Sequence, residues 1–195
     1  MGFEISISKD IQVNGRYLQD ITADALKALE EHNSPPKIFV RSGSLVRLVL
    51  KDRLVIEPVS ESALRGSLAR AAGFVTLEGN DEKGEPKYTR ARPPLDVVRD
   101  ILGLGTWHGF PLIETVIEAP VIRPDGTVLI EPGYDEATAL FYEPGKELQD
   151  LNVPANPTNE DAKKAVKHII DEIFVDFPFK DEASKANALH YCCRQ

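Results

Sequence analysis

Apolar positions along this chain change period several times, and the changes mark out short elements. In IQVNGRYLQDITADALKALEEHNSPP a brief alternating run gives way to Ala25, Leu26 and Leu29 at helical spacing. That predicts a strand and then a helix capped near Thr22 and stopped by the Asn-Ser-Pro-Pro of residues 33 to 36. In KIFVRSGSLVRLVL, Ile38 to Val40 face Leu45 to Val49 across Ser42-Gly43-Ser44, a hairpin whose turn uses Gly43 for a left-handed backbone angle. Arg41 and Arg47 stand nearly symmetrically about that turn, which would bring them together on neighbouring strands. RLVIEPVS adds a third strand.

Ser60 is suited to cap the next helix, Glu61 favours its N-terminus, Leu64, Leu68 and Ala71 make its apolar stripe, and Gly73 fits its stop. FVTLEGNDEKGEPKYTRARPP then reads as strand, polar turn and strand, and PLDVVRDILGLG as a helix begun by Pro94 and ended by Gly103 or Gly105. A helix followed by a long hairpin with a charged tip has a winged-helix-like outline. After the TWHGFP loop, EAPVIRPDGTVLIEPGYDEATALFYEP alternates, turns at Pro124-Asp125-Gly126 and bends at Gly133-Tyr134-Asp135.

The Pro- and Asn-rich stretch 143–161 is the predicted boundary, separating residues 1–150, with a basic middle at 37–99, from a helical segment at 151–195. Thr158 caps an amphipathic helix in which Ala162, Ala165, Val166, Ile169, Ile170, Ile173 and Phe174 recur at helical spacing, a stripe expected to be core or else a docking face. DFPF breaks it and a last helix follows. The predicted class is α+β, with small mixed or antiparallel sheets, hairpins, packed helices and a helical C-terminal end.

Composition narrows the chemistry. Apolar residues make up 42% and charged residues 28%, no apolar run approaches the ~20 residues of a membrane helix, and Met1 to Asp10 lacks the pattern of a signal peptide. A cytoplasmic chain without a membrane partner is the expectation. The adjacent Cys192 and Cys193 are too close to staple a loop, and His32, His108, His168 and His190 are too scattered for a metal motif. A net charge of -8 hides an asymmetry: Lys37 to Arg99 holds 12 basic and 8 acidic residues, whereas Glu114 to Glu182 holds 16 acidic and 6 basic.

No phosphate-loop, dinucleotide-binding or nucleophile-elbow motif occurs, and the glycines of GLGTWHG follow a helix rather than a strand. No cofactor is expected. Asp125 and Asp135 are a weak candidate pair for a divalent metal, against which stands their placement at positions where a short acid bonds its own turn. The stronger candidates are basic. Arg41, Arg47, Arg65, Arg70, Lys87, Arg90 and Arg92 accumulate in the winged-helix-like region, and KYTRAR interleaves a tyrosine with three cations as nucleic-acid surfaces do. Their alternative is a merely solvated face. Trp107, beside His108 in a loop, would either stack on a base or plug the core.

Taken in order, PPKIFVRSGSLVRL, IEPVSESALRGSLARAAGF, PPLDVVRDIL, EAPVIRPDGTVLIEPGYDEATALFY and DEIFVDFPFKDEASKANAL resemble the region that precedes the P-loop ATPase core in phage and integrative-element replication proteins of primase-helicase type. The similarity spans roughly Ile11 to Leu189 and carries no catalytic signature. It implies a non-catalytic, DNA-contacting or regulatory module whose partners are DNA and a following ATPase domain or subunit, with homo-oligomers possible. The chain stops before any phosphate loop, so the resemblance implies either a fragment or a stand-alone relative. Its end, HYCCRQ, departs from the apolar helix such a relative would carry, and would leave Cys192 and Cys193 open to oxidation. Two other classes compete: an assembly module that docks a partner through the helix at 158–174, and a small metal-dependent enzyme acting on nucleic acid or nucleotides through Asp125 and Asp135.

Overall fold

The computed structural model describes residues 10–80, 82–148, 154 and 157–192. The chain divides into two compact units, Met1–Gln149 and Asp150–Gln195. It is an α+β protein with small sheets and a helical C-terminal end.

In chain order the first unit runs β1 (Asp10–Gln12), α1 (Leu18–His32), β2 (Ile38–Arg41), β3 (Ser44–Leu50), β4 (Leu54–Pro58), α2 (Glu61–Ala71), β5 (Gly73–Asn80), β6 (Pro86–Ala91) and α3 (Leu95–Gly103). Five short strands follow: β7 (Thr115–Ile117), β8 (Val121–Ile122), β9 (Val128–Leu129), β10 (Gly133–Asp135) and β11 (Leu140–Tyr142). A 3-10 turn, Lys146–Leu148, comes last.

The three helices pack on one another, and their apolar stripes form most of one core: Ile21, Ala25 and Leu29 of α1, Leu64 and Leu68 of α2, and Val97, Val98 and Ile101 of α3. Burying a leucine of this kind contributes about 1.5–3 kcal/mol. Ile11 and Phe74 close this core from the sheet β1-β5-β6, in which β1 pairs parallel with β5 and β5 antiparallel with β6. Ile38 and Leu45 close it from the sheet β2-β3-β4. The opposite face of that second sheet carries Phe39 and Val46, which join Ile113 in a smaller core against Tyr134 and Phe141. One strand pair therefore serves two cores through the alternation of its side chains.

Several local expectations change in detail. Helix α1 starts a full turn earlier than Thr22, after Tyr17, with no side-chain cap; Thr22 is buried inside it and donates to the Asp100 carboxylate at 2.7 Å. A buried hydroxyl needs such a partner, which is why Thr22 spans helices rather than capping one. Helix α2 begins as expected, with the Ser60 hydroxyl accepting from Ala63 N, but it ends in the extended Ala72, and Gly73 is already the first residue of β5.

The β2–β3 turn is two residues long, Ser42 and Gly43, both at positive φ (49° and 72°), the signature of the turn type that matches strand twist. Arg41 therefore pairs with Ser44, and Arg47 with Ile38. By alternation the two arginines project from opposite faces, so they do not come together.

In the C-terminal unit, α4 (Asn159–His168) has a complete capping box: Thr158 Oγ1 accepts from Asp161 N, and the Asp161 carboxylate accepts from Thr158 N at 2.9 Å. A π turn over Ile169–Ile173 follows, and Phe174, Phe177 and Phe179 then cluster where the helix ends. The Asp181 carboxylate accepts from Ser184 N at 2.7 Å at the start of α5 (Glu182–Cys192). The apolar stripe here is not core. None of the described side chains of α4 is buried, Ile173 is 70% exposed and Val175 67%. Two short helices have too little chain to cover one another. Cys193 lies outside the described residues.

Candidate nucleic-acid interface

The strand β6 leads into the candidate site. Ala91 packs against the main core beside Phe74, its partner on β5, so the neighbouring residues of β6 face outward in alternation. Tyr88 and Arg90 occupy outer positions, opposite Leu77 and Val75. Arg92, one residue past the strand, is also exposed. Pro93 then turns the chain toward α3.

Here the chain meets α2. Arg65, Gly66 and Ala69 of α2 line one groove together with Arg92, Pro93 and Leu95. Arg65 Nε donates to the Pro93 carbonyl at 2.8 Å, which leaves its two terminal nitrogens without a protein partner among the described residues. Arg70 folds back along the helix: its Nη1 lies 3.4 Å from where a Cβ on Gly66 would stand, and its Nη2 reaches Ser67 Oγ at 3.4 Å. The carboxylate at the groove's rim, Glu61, is occupied by Arg99 at 3.0 Å, and that contact raises the Arg99 pKa above its ordinary value. Two guanidinium groups, Arg65 and Arg92, thus line a groove with an apolar floor, Arg70 lies beside it against Gly66, and the acid that lines it, Glu61, is already paired.

The other candidate cations lie elsewhere. Arg41 lines a different depression, with Arg53, Thr115 and Glu118. Arg47 stands opposite Glu57, whose carboxyl is held below its usual range first by a hydrogen bond from Lys51 at 2.6 Å, with Arg47 adding a smaller attraction. Lys87 lies on the other face of β6 from Arg90 and approaches Glu78 at 3.7 Å. The seven cations do not share one surface.

Trp107 belongs to none of these groups. It is 5% exposed, packs in the main core, and donates its indole N–H to the Ile101 carbonyl at 2.8 Å. Its ring faces are covered, so base stacking is excluded for this residue and the core-plug alternative describes it.

The two aspartates are both engaged in turns around Arg123. The Asp125 carboxylate accepts from Thr127 N at 2.9 Å and from Thr127 Oγ1 at 2.7 Å, which lowers its pKa. Asp135 accepts from Arg123 Nε and Nη2 on one oxygen and from Thr138 N and Oγ1 on the other. Chiefly the Arg123 bonds, then those of Thr138, pull its pKa down to about 2. Asp125 Oδ1 and both Asp135 oxygens are thus engaged within their turns and by Arg123; among the described residues no group of three or more His, Cys, Asp or Glu is placed to hold an ion.

Sequence reasoning passed over Arg123, whose role depends on a partner 12 residues away. It also passed over the pairing of Glu61, read only as favouring a helix N-terminus, with Arg99, which neutralises the acid that lines the groove. Among the described residues, no helix is long and apolar enough to cross a membrane. Comparison with protein-family models, with curated proteins and with solved structures finds no match.

Proposed function

We propose that the first unit is a non-catalytic module that contacts nucleic acid through the α2–β6 groove, and that it serves a DNA replication protein of the helicase or primase type. The observation that carries the contact is the meeting of Arg65 and Arg92 in one groove, with Arg70 beside it against Gly66, where the lining acid Glu61 is already paired with Arg99. Guanidinium groups offer forked donors that match phosphate oxygens, and two of them lining an apolar floor with a third beside it form a surface suited to a polyanion. The replication context rests on the resemblance, in which the C-terminal unit leads toward an ATPase domain and the module regulates or couples it.

The test is binding of a labelled DNA by the whole chain across a salt series. Affinity should fall steeply as salt rises, and Arg65→Glu with Arg92→Glu should weaken it and flatten the slope. No binding at low salt would refute the contact.

A second reading, an assembly module, is favoured by one observation: Ile173, Val175 and Phe177 are 70%, 67% and 58% exposed. Apolar side chains grouped in this way mark interaction surfaces. Light scattering over a concentration series separates the readings, because assembly predicts a discrete oligomer without nucleic acid.

A further inference from the structure

We propose that the nucleic acid is single-stranded, and that it lies on the outer face of the sheet β1-β5-β6, with a base stacked on Tyr88 and the backbone following Arg90 and Arg92 into the groove. This deepens the reading above and rests on it. Tyr88 and Arg90 fall two positions apart on the outer face of β6, a step of roughly 6.8 Å, and Arg92 follows two residues on, just past the strand's end and at the groove, so an aromatic and two cations succeed one another along the chain. Neither the Arg90 nor the Arg92 side chain has a hydrogen-bonding or ionic partner among the described residues. Beside Arg90 and Tyr88, their β5 partners Val75 and Leu77 make the same face apolar.

Charge and geometry favour this occupant. The one carboxylate at an outer position of the sheet among the described residues is Asp10, opposite Gly73 and two strands away from β6. Tyr88 is 50% exposed, so one side of its ring is open. A ring lying in a sheet face can stack on an unpaired base, whereas the bases of a duplex already cover each other's faces.

The experiment compares oligo(dT) with a duplex of mixed sequence, each labelled, on the full chain at one fixed salt, together with Tyr88→Ala, Tyr88→Phe and Arg90→Ala; circular dichroism confirms that each variant is folded. Single strands should bind at least about tenfold tighter than duplex. Tyr88→Ala should lose roughly 5- to 150-fold of single-strand affinity with its salt slope intact, and Tyr88→Phe should retain it. Arg90→Ala should reduce the salt slope by about one phosphate contact. Duplex bound as well as single strand, or Tyr88→Ala binding single strands as the parent does, overturns the inference and leaves the groove reading standing. Binding of neither probe overturns both.

Discussion

Arg123 reaches Asp135 with Nε at 3.0 Å and Nη2 at 2.7 Å, both on the same carboxylate oxygen, across a 12-residue excursion of the chain. The pair ties the β8–β9 turn to the β10–β11 corner, and side chains that remain 21% and 14% accessible keep it partly shielded from water.

Asp135 gives the fold an acid limit. Its folded pKa is about 2 against an ordinary 3.8, so the stabilisation is complete above about 3.8 and is lost as pH falls toward 2. Asp135→Asn should lower the thermal midpoint by a few degrees at neutral pH and remove part of the parent's loss of stability between pH 4 and pH 2. Thermal melts of both proteins over that range check it.

Trp107 is the single tryptophan of the chain and lies in the main core. Its emission should be blue-shifted, shielded from iodide and unchanged on addition of nucleic acid. Trp107→Phe removes the indole N–H from the Ile101 carbonyl, which keeps only the longer bond from Leu104 N at 3.4 Å, and should cost about 0.5–1.5 kcal/mol in a denaturant titration. Affinity per folded molecule should stay as it was.

Along α2, burial separates two kinds of position. Leu64 is fully buried, and Leu64→Ala should cost about 2–5 kcal/mol. Ala69 lines the exposed groove, and Ala69→Ser should change stability by less than about 0.5 kcal/mol. Chemical denaturation of the two variants tests the contrast.

Gly66 sits inside a helix, where glycine is about 1 kcal/mol worse than alanine. A Cβ there would meet only the end of the Arg70 side chain, at 3.4 Å, so Gly66→Ala should raise stability by up to about 1 kcal/mol. Gly66→Leu should fill the groove and weaken nucleic-acid binding instead. Melting and binding titrations on both variants should show stability and affinity moving separately.

Thr158→Ala removes one arm of the α4 capping box and should weaken that helix by about 1 kcal/mol. Faster amide exchange over residues 159–168 is the expected readout.

Features that depend on a few neighbouring residues were legible in the sequence. The Ser60 cap, the Thr158 cap, the left-handed Gly43 and the break at DFPF all follow from local chemistry, and the structure has each of them. The Arg41–Arg47 expectation failed by a single residue of turn length. A three-residue turn would set both on one face, and the two-residue turn at Ser42-Gly43 reverses every side chain of β3 relative to β2. The groove was half legible: its arginines stood out as cations, but their convergence depends on α2 meeting the end of β6, a contact that no local pattern encodes. The same holds for Trp107, whose burial depends on the main core assembling from distant parts of the chain.

The parallel pairing of Asp10–Gln12 with Gly73–Val75 also sets an order of events in time. As the chain leaves the ribosome, β1 has no partner until more than sixty further residues have emerged, whereas β2, β3 and β4 find theirs within a few residues. Loop closure of that length makes the β1–β5 contact a late and slow step. The surface carrying Tyr88 and Arg90 is therefore completed only after α1, the β2-β3-β4 sheet and α2 have been synthesised, so a nascent chain gains the face proposed for binding late in its synthesis.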